Sequence, residues 1–243
     1  MRYAEHPIPP ALDGLVIAIW ALNGDGHADT RVTHDATPDG CVELIRRLRG
    51  RSWWNGEQPE LFATGLSEAP IRFTMSGDAA FIGIRMWPWA WAVISDAHIR
   101  DFTGRWIGVD PTSHAGAVLA DPAEAASALE TALAGHRPNA IATAVLRSAS
   151  VAEIVATSGI AHRGVQRWFA AIVGLPPRRY LRLIRFRAAM LDFADPPATL
   201  AEQASANGFA DQAHMARDFR LLAGVSPSIA RGRAIGPFLP GTR

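Results

Sequence analysis

The sequence predicts an α+β protein: a β-rich, barrel-like N-terminal domain followed by an all-α domain. Three observations carry that expectation. Short β-compatible runs separated by turn residues recur through the first 120 positions. The last hundred positions carry capped helical patterns instead. Charge also changes sign along the chain: residues 1–135 hold 10 Arg against 17 Asp and Glu, net −7, and residues 136–243 hold 14 Arg against 6, net +8. At 243 residues two domains are expected. The divisions fall at 1–120, a connecting helix over 121–137, and 138–243.

In the acidic half the strand candidates are LVIAIWAL from Leu15, CVELI from Cys41, LFATGL from Leu61, PIRFTM from Pro70 and AFIGIRMW from Ala80. Asn23-Gly24-Asp25-Gly26, Pro38-Asp39-Gly40 and Ser76-Gly77-Asp78 are turn signals between them. PWAWAVIS from Pro88 reads as a short helix begun by proline, and DPAEAASALETALAG from Asp121 as a clear one.

The basic half contains a weak duplication. One copy, SVAEIVATSGIAHRGVQRWFAAIVGLPP, starts at Ser150, and the other, TLAEQASANGFADQAHMARDFRLLAGVSP, at Thr199. Each opens on an S/T-x-x-E capping box, Ser150 with Glu153 and Thr199 with Glu202. The first helices end near Gly159 and Gly208, suited to a left-handed position. Ile160 or Phe209 is expected to plug the turn. A second helix follows with apolar residues four apart, Val165 and Phe169 or Met215 and Phe219, and ends at Gly174 or Gly224. Short helix, tight turn and second helix is the helix-turn-helix pattern. Two ordinary helical hairpins are the plainer reading, but two capped copies with arginine on each second helix, in a half carrying +8, favour nucleic acid.

On these residues the segment from about 138 to 233 resembles the DNA-binding domain of AraC/XylS-type bacterial transcription regulators. The likeness rests on Gly208-Phe209, Asp211-Gln212, His214, Arg217, Phe219 and Gly224-Val225-Ser226-Pro227. The first copy adds Glu153-Ile154, Gln166-Arg167, Phe169, Gly174 and Tyr180. One departure is Ala230 before Arg231, where the family has an aromatic residue.

The second helix of such a unit enters the major groove of double-stranded DNA and reads bases near its N-terminus. The expected base-contacting residues are Arg163, Gln166 and Arg167 in the first copy and Gln212, Ala213, His214 and Arg217 in the second. Arginine pairs with guanine, glutamine with adenine, and alanine meets a thymine methyl. Arg217 has the alternative of binding phosphate. The segment PRRYLRLIRFRAAMLDF from Pro177 is expected to be one helix that buries Tyr180, Leu181, Ile184 and Ala188. Its Arg178, Arg179, Arg182 and Arg185 are the phosphate candidates, the resemblance implies a linker between reading units, and Pro196-Pro197 is expected to stop it.

PDGCVELI and FIGIRMWP also resemble the sensor half of one AraC-type subgroup, related to small cupin-like barrels, which implies a regulatory half without naming its effector. His27, His34, His98 and His114 are scattered, without the close pair of a metal-binding cupin, so no metal and no cofactor are expected. No nucleophile motif appears, and no enzyme activity is expected. Cys41, the single cysteine, excludes an internal disulfide and reads as a small buried hydrophobe. Trp53, Trp54, Trp87, Trp89 and Trp91 fall in two clusters that suit a core, an interface or a pocket. Glu43 and Arg85 lie in apolar runs, where burial demands partners: each other, or a polar ligand. Glu43, Arg85, Trp87 and Trp89 are therefore the effector-binding candidates.

No apolar run approaches a membrane span, and the N-terminus lacks the pattern of a secretory signal. The expectation is a cytoplasmic, ligand-responsive transcription regulator, possible as a homodimer. A protein-interaction adaptor whose helical half no longer reads DNA is the alternative, and an enzyme with an appended DNA-binding domain is the third.

Overall fold

The computed structural model describes residues 1–194 and 199–233. Nine strands lie within the first 108 positions: β1 (Arg2–His6), β2 (Val16–Asn23), β3 (Arg31–Ala36), β4 (Val42–Arg49), β5 (Ser52–Trp53), β6 (Leu61–Thr64), β7 (Ile71–Ser76), β8 (Ala80–Met86) and β9 (Trp106–Gly108). They form two antiparallel sheets, ordered β1-β2-β8-β4-β6-β9 and β3-β7-β5. Among the described residues neither sheet closes on itself. All five anticipated strands are present. The four unanticipated ones, β1, β3, β5 and β9, are short or polar and take their conformation from the partner strand rather than from their own pattern.

The inner strands of the large sheet bury residues on both faces, and side-chain alternation sorts them. Val42, Leu44, Leu61, Ala63, Ile82, Ile84 and Met86 join a core shared with the helices. Trp20, Leu22, Ile45, Phe62 and Phe81 join a second cluster that faces the small sheet. Gly83 is required here, because a Cβ on it would lie 2.2 Å from the Trp20 ring.

Among the described residues ten α-helices follow or interrupt the strands: α1 (Pro88–Ile94), α2 (His114–Val118), α3 (Ala125–Ala132), α4 (Ala140–Val145), α5 (Val151–Ser158), α6 (His162–Trp168), α7 (Pro177–Leu191), α8 (Leu200–Ala206), α9 (Gln212–Ala223) and α10 (Pro227–Arg233). A π turn, Phe169–Val173, extends α6. The helix expected from Asp121 begins as a 3-10 turn capped by Asp121 and continues as α3. It packs on α2 and on the 3-10 turn Pro10–Leu12. It is therefore not the principal link between the halves that its place in the sequence implies. That link is direct: α1 and the 3-10 turn Ile99–Asp101 touch the π turn.

The capping residues act as their spacing predicts. Thr199 and Glu202 form a complete capping box. Ser150 accepts from the Glu153 N–H, but the Glu153 carboxylate takes the N–H of Ala149 rather than that of Ser150. Gly159, Gly174, Gly208 and Gly224 all have φ between 68° and 76°. The two turns differ in one respect: Phe209 is buried as expected, whereas Ile160 is 39% exposed and lies over Gly164 instead of plugging the core. Helix α7 buries Tyr180, Leu181, Leu183, Phe186 and Ala189, a broader face than predicted, with Ile184 and Ala188 only half-buried. Pro196-Pro197 lies outside the described residues.

Candidate DNA interface and effector cavity

In both helix-turn-helix units the apolar spacing anchors the second helix. Val165 and Phe169 are fully buried in one, Met215 and Phe219 in the other. That anchoring turns Arg163, Gln166 and Arg167 of α6 and Gln212, Ala213 and Arg217 of α9 outward, and all six are exposed. Asp211 caps α9 by accepting from the His214 N–H at 2.6 Å.

His214 is the exception. Its Nδ1 accepts from the Ala210 N–H at 3.2 Å, its ring meets Phe209 edge-on at 5.5 Å, and its Nε2 lies 3.6 Å from Asp218. The side chain braces its own turn, which corrects its placement among outward-facing residues. The departure at Ala230 does not free Arg231, whose Nη2 donates to Gln203 Oε1 at 3.3 Å. Gln203 is itself fully buried and donates to the Ala189 carbonyl at 2.8 Å.

Of the four phosphate candidates on α7, Arg178 is exposed, and its side chain makes no hydrogen bond or ion pair among the described residues. Arg179 makes a bidentate pair with Glu68, and Arg182 reaches the same carboxylate at 3.3 Å. Arg185 is half-buried, with Nη1 donating to the Ala149 carbonyl at 3.3 Å and the guanidinium 5.7 Å from the Phe209 ring centre. Burial lowers its pKa, with Asp218 opposing. Three of the four arginines are thus engaged within the molecule. The helical spacing that set them off the apolar face could not show this, because Glu68 lies more than a hundred residues away in the chain.

The tryptophan candidates are also relocated. Trp87 and Trp89 stack 5.2 Å apart with 10° between their planes, and Trp89 lies 6.1 Å from Trp168 of α6. Trp89 Nε1 donates to the Gly14 carbonyl at 2.8 Å, and Arg187 of α7 sits over the Trp87 ring. Neither ring lines the cavity between the two sheets. They fill the seam between the β-rich and helical halves, because α1 presents them away from the small sheet.

The cavity lies on the other face of the large sheet, between it and the small one, with a volume of about 140 Å³. Glu43 and Arg85 line it. They face each other in register across β4 and β8, and Arg85 Nη2 lies 2.8 Å from Glu43 Oε1. Arg85 also reaches Asp39 at 3.0 Å and Glu5 at 3.5 Å. Burial works against its charge, but Glu43 and Asp39 outweigh that and its pKa is raised. Burial likewise raises the Glu43 pKa, against Arg85. Trp20, Trp54, Phe62, Phe73 and Phe81 supply aromatic wall. Sequence reading singled out Trp54 but missed the other four, although alternation in β2, β6 and β8 places Trp20, Phe62 and Phe81 on the Glu43 face. Among the described residues no three His, Cys, Asp or Glu side chains gather to hold a metal ion, and no helix is long and apolar enough to cross a membrane.

Comparison with known proteins bears on both halves. Residues 154–233 match the family model described as a helix-turn-helix domain, and residues 4–108 match a domain of unknown function, DUF6597. No curated protein matches. Among solved structures the chain is similar to ToxT from Vibrio cholerae O395, with 9% identity over 84% of this chain and 96% of that one and a TM-score of 0.44. It is also similar to unsaturated-fatty-acid-bound ToxT from Vibrio cholerae strain SCE256, with 11% identity over 83% and 94% and a TM-score of 0.43. Residues 154–233 are therefore a helix-turn-helix domain of AraC type.

Proposed function

We propose that this protein recognises specific DNA sequences through α6 and α9 and that a small effector in the cavity between the sheets tunes the recognition. In this reading residues 1–120 sense, 121–137 connect and 138–243 bind DNA. One observation carries it: both second helices are anchored by fully buried residues four apart and turn an arginine, Arg167 or Arg217, to solvent at the matching position, with Gln166 and Gln212 also exposed on these helices. Arg163, Gln166, Arg167, Gln212, Ala213 and Arg217 are the base readers, and His214 sets the pitch of the turn beneath them. Arg178 contacts phosphate directly.

The test begins with an operator selected from random duplexes. Arg167→Ala and Arg217→Ala are expected to lose about 1–3 kcal/mol of affinity and to relax preference at one base position each. Arg178→Ala is expected to weaken all sequences alike and to reduce the salt slope by about one. Unchanged operator binding by both base-reading variants would remove the recognition helices from the proposal.

A further inference from the structure

The geometry points to a small organic cation as the ligand of the cavity between the sheets: an amine or ammonium group on an apolar body of roughly benzene's size. This rests on the proposed effector role of the β-rich half and assigns the effector's chemical class.

The charge balance of the lining comes first. Arg85 is the one basic residue that lines the cavity, against two carboxylates, Asp39 and Glu43. Arg85 is already committed, at 2.8 Å to Glu43, 3.0 Å to Asp39 and 3.5 Å to Glu5. An incoming carboxylate would have to displace one of these partners and then sit beside the others, a like-charge arrangement in a buried site. A cation meets the opposite situation, because the carboxylates outnumber the guanidinium they surround. Burial pushes the Glu43 carboxyl upward, with Arg85 opposing that and Asp39 adding to it. A bound cation would relieve that.

The walls agree with the charge. Trp20, Trp54, Phe62, Phe73 and Phe81 line the same space, and aromatic faces attract a cation held over them. Ser52, only 1% exposed and also on the wall, leaves its Oγ without a hydrogen-bond partner, an acceptor for a ligand N–H. The volume of about 140 Å³ is close to the roughly 150 Å³ known to admit benzene in an apolar protein cavity. That sets the size of the apolar body.

The experiment titrates the full chain with benzylamine, benzyl alcohol and benzoate at neutral pH, by calorimetry and tryptophan fluorescence, with operator affinity measured in parallel. Benzylamine is expected to bind about tenfold or more tighter than benzyl alcohol, with benzoate weakest. Glu43→Gln is expected to abolish most of the amine's advantage and to leave the alcohol nearly unchanged. The wild-type order decides even if that variant folds poorly. Benzoate or benzyl alcohol binding tightest would overturn the cation assignment and leave the effector role intact. Failure of all three to bind would overturn the assignment as well. The expected order without any change in operator affinity would uphold the cation site and sink the effector role instead.

Discussion

The Tyr180 hydroxyl donates to the Gly40 carbonyl oxygen at 2.9 Å, in a buried hydrogen bond between residues 140 positions apart. One end sits on α7 and the other in the turn before β4, so the bond ties the β-rich half to the helix that joins the two reading units. Tyr180→Phe keeps the ring and its edge-on contact with Phe169 but strands the acceptor. A buried polar group left unpaired costs about 1–3 kcal/mol. Urea unfolding of the full chain should show a loss in that range, and a variant as stable as wild type would mean that the carbonyl finds another donor.

Gly174 and Gly159 separate two reasons for glycine. Both are left-handed, with φ of 76° and 68°. A Cβ on Gly159 meets nothing within 4 Å, whereas one on Gly174 would lie 2.5 Å from the Arg100 backbone nitrogen. Gly159→Ala should cost only the backbone term of about 1–2 kcal/mol. Gly174→Ala should cost clearly more, because the first reading unit must move off the β-rich half. Equal melting temperatures for the two variants would contradict that close approach.

Glu68 occupies Arg179 and Arg182 together. With the Arg179 side chain 54% exposed, the pairing is worth little to stability, under about 1 kcal/mol. Glu68→Gln is nevertheless expected to raise affinity for random-sequence duplex and to steepen its salt dependence by about one or two phosphate contacts. Fluorescence anisotropy across a salt series measures both. An unaltered slope would show that these arginines serve the seam and never reach phosphate.

Cys41 is 4% exposed, and burial pushes its thiol pKa well above the ordinary value. The thiolate is the reacting species, so iodoacetamide at neutral pH should leave the native thiol unmodified and label it after unfolding in urea. Rapid labelling of the folded protein, read by mass spectrometry, would contradict that environment.

The helical half was legible because its signals are local. A capping box spans four residues, a left-handed glycine needs only its own φ, and apolar residues four apart lie on one face of any helix. Ser150, Thr199, Gly159, Gly208, Val165 and Met215 could therefore be assigned without knowing what they touch. The five apolar strands were legible for the same reason. Strands β3 and β5 were not, because Arg31–Ala36 and Ser52–Trp53 become strands only by pairing with β7.

By itself the sequence determined two helix-turn-helix units with arginine and glutamine on their outer faces, and an acidic β-rich half in which Glu43 and Arg85 had to find partners. Tertiary structure alone decided which arginines stay outward, since Glu68 and Asp218 meet α7 only after folding. It also decided that Trp87 and Trp89 fill the seam while Trp20 and Trp54 line the cavity. The physical reason is that periodicity places a side chain on a face of its own element. What that face meets depends on contacts between distant segments, and no short window of sequence encodes them.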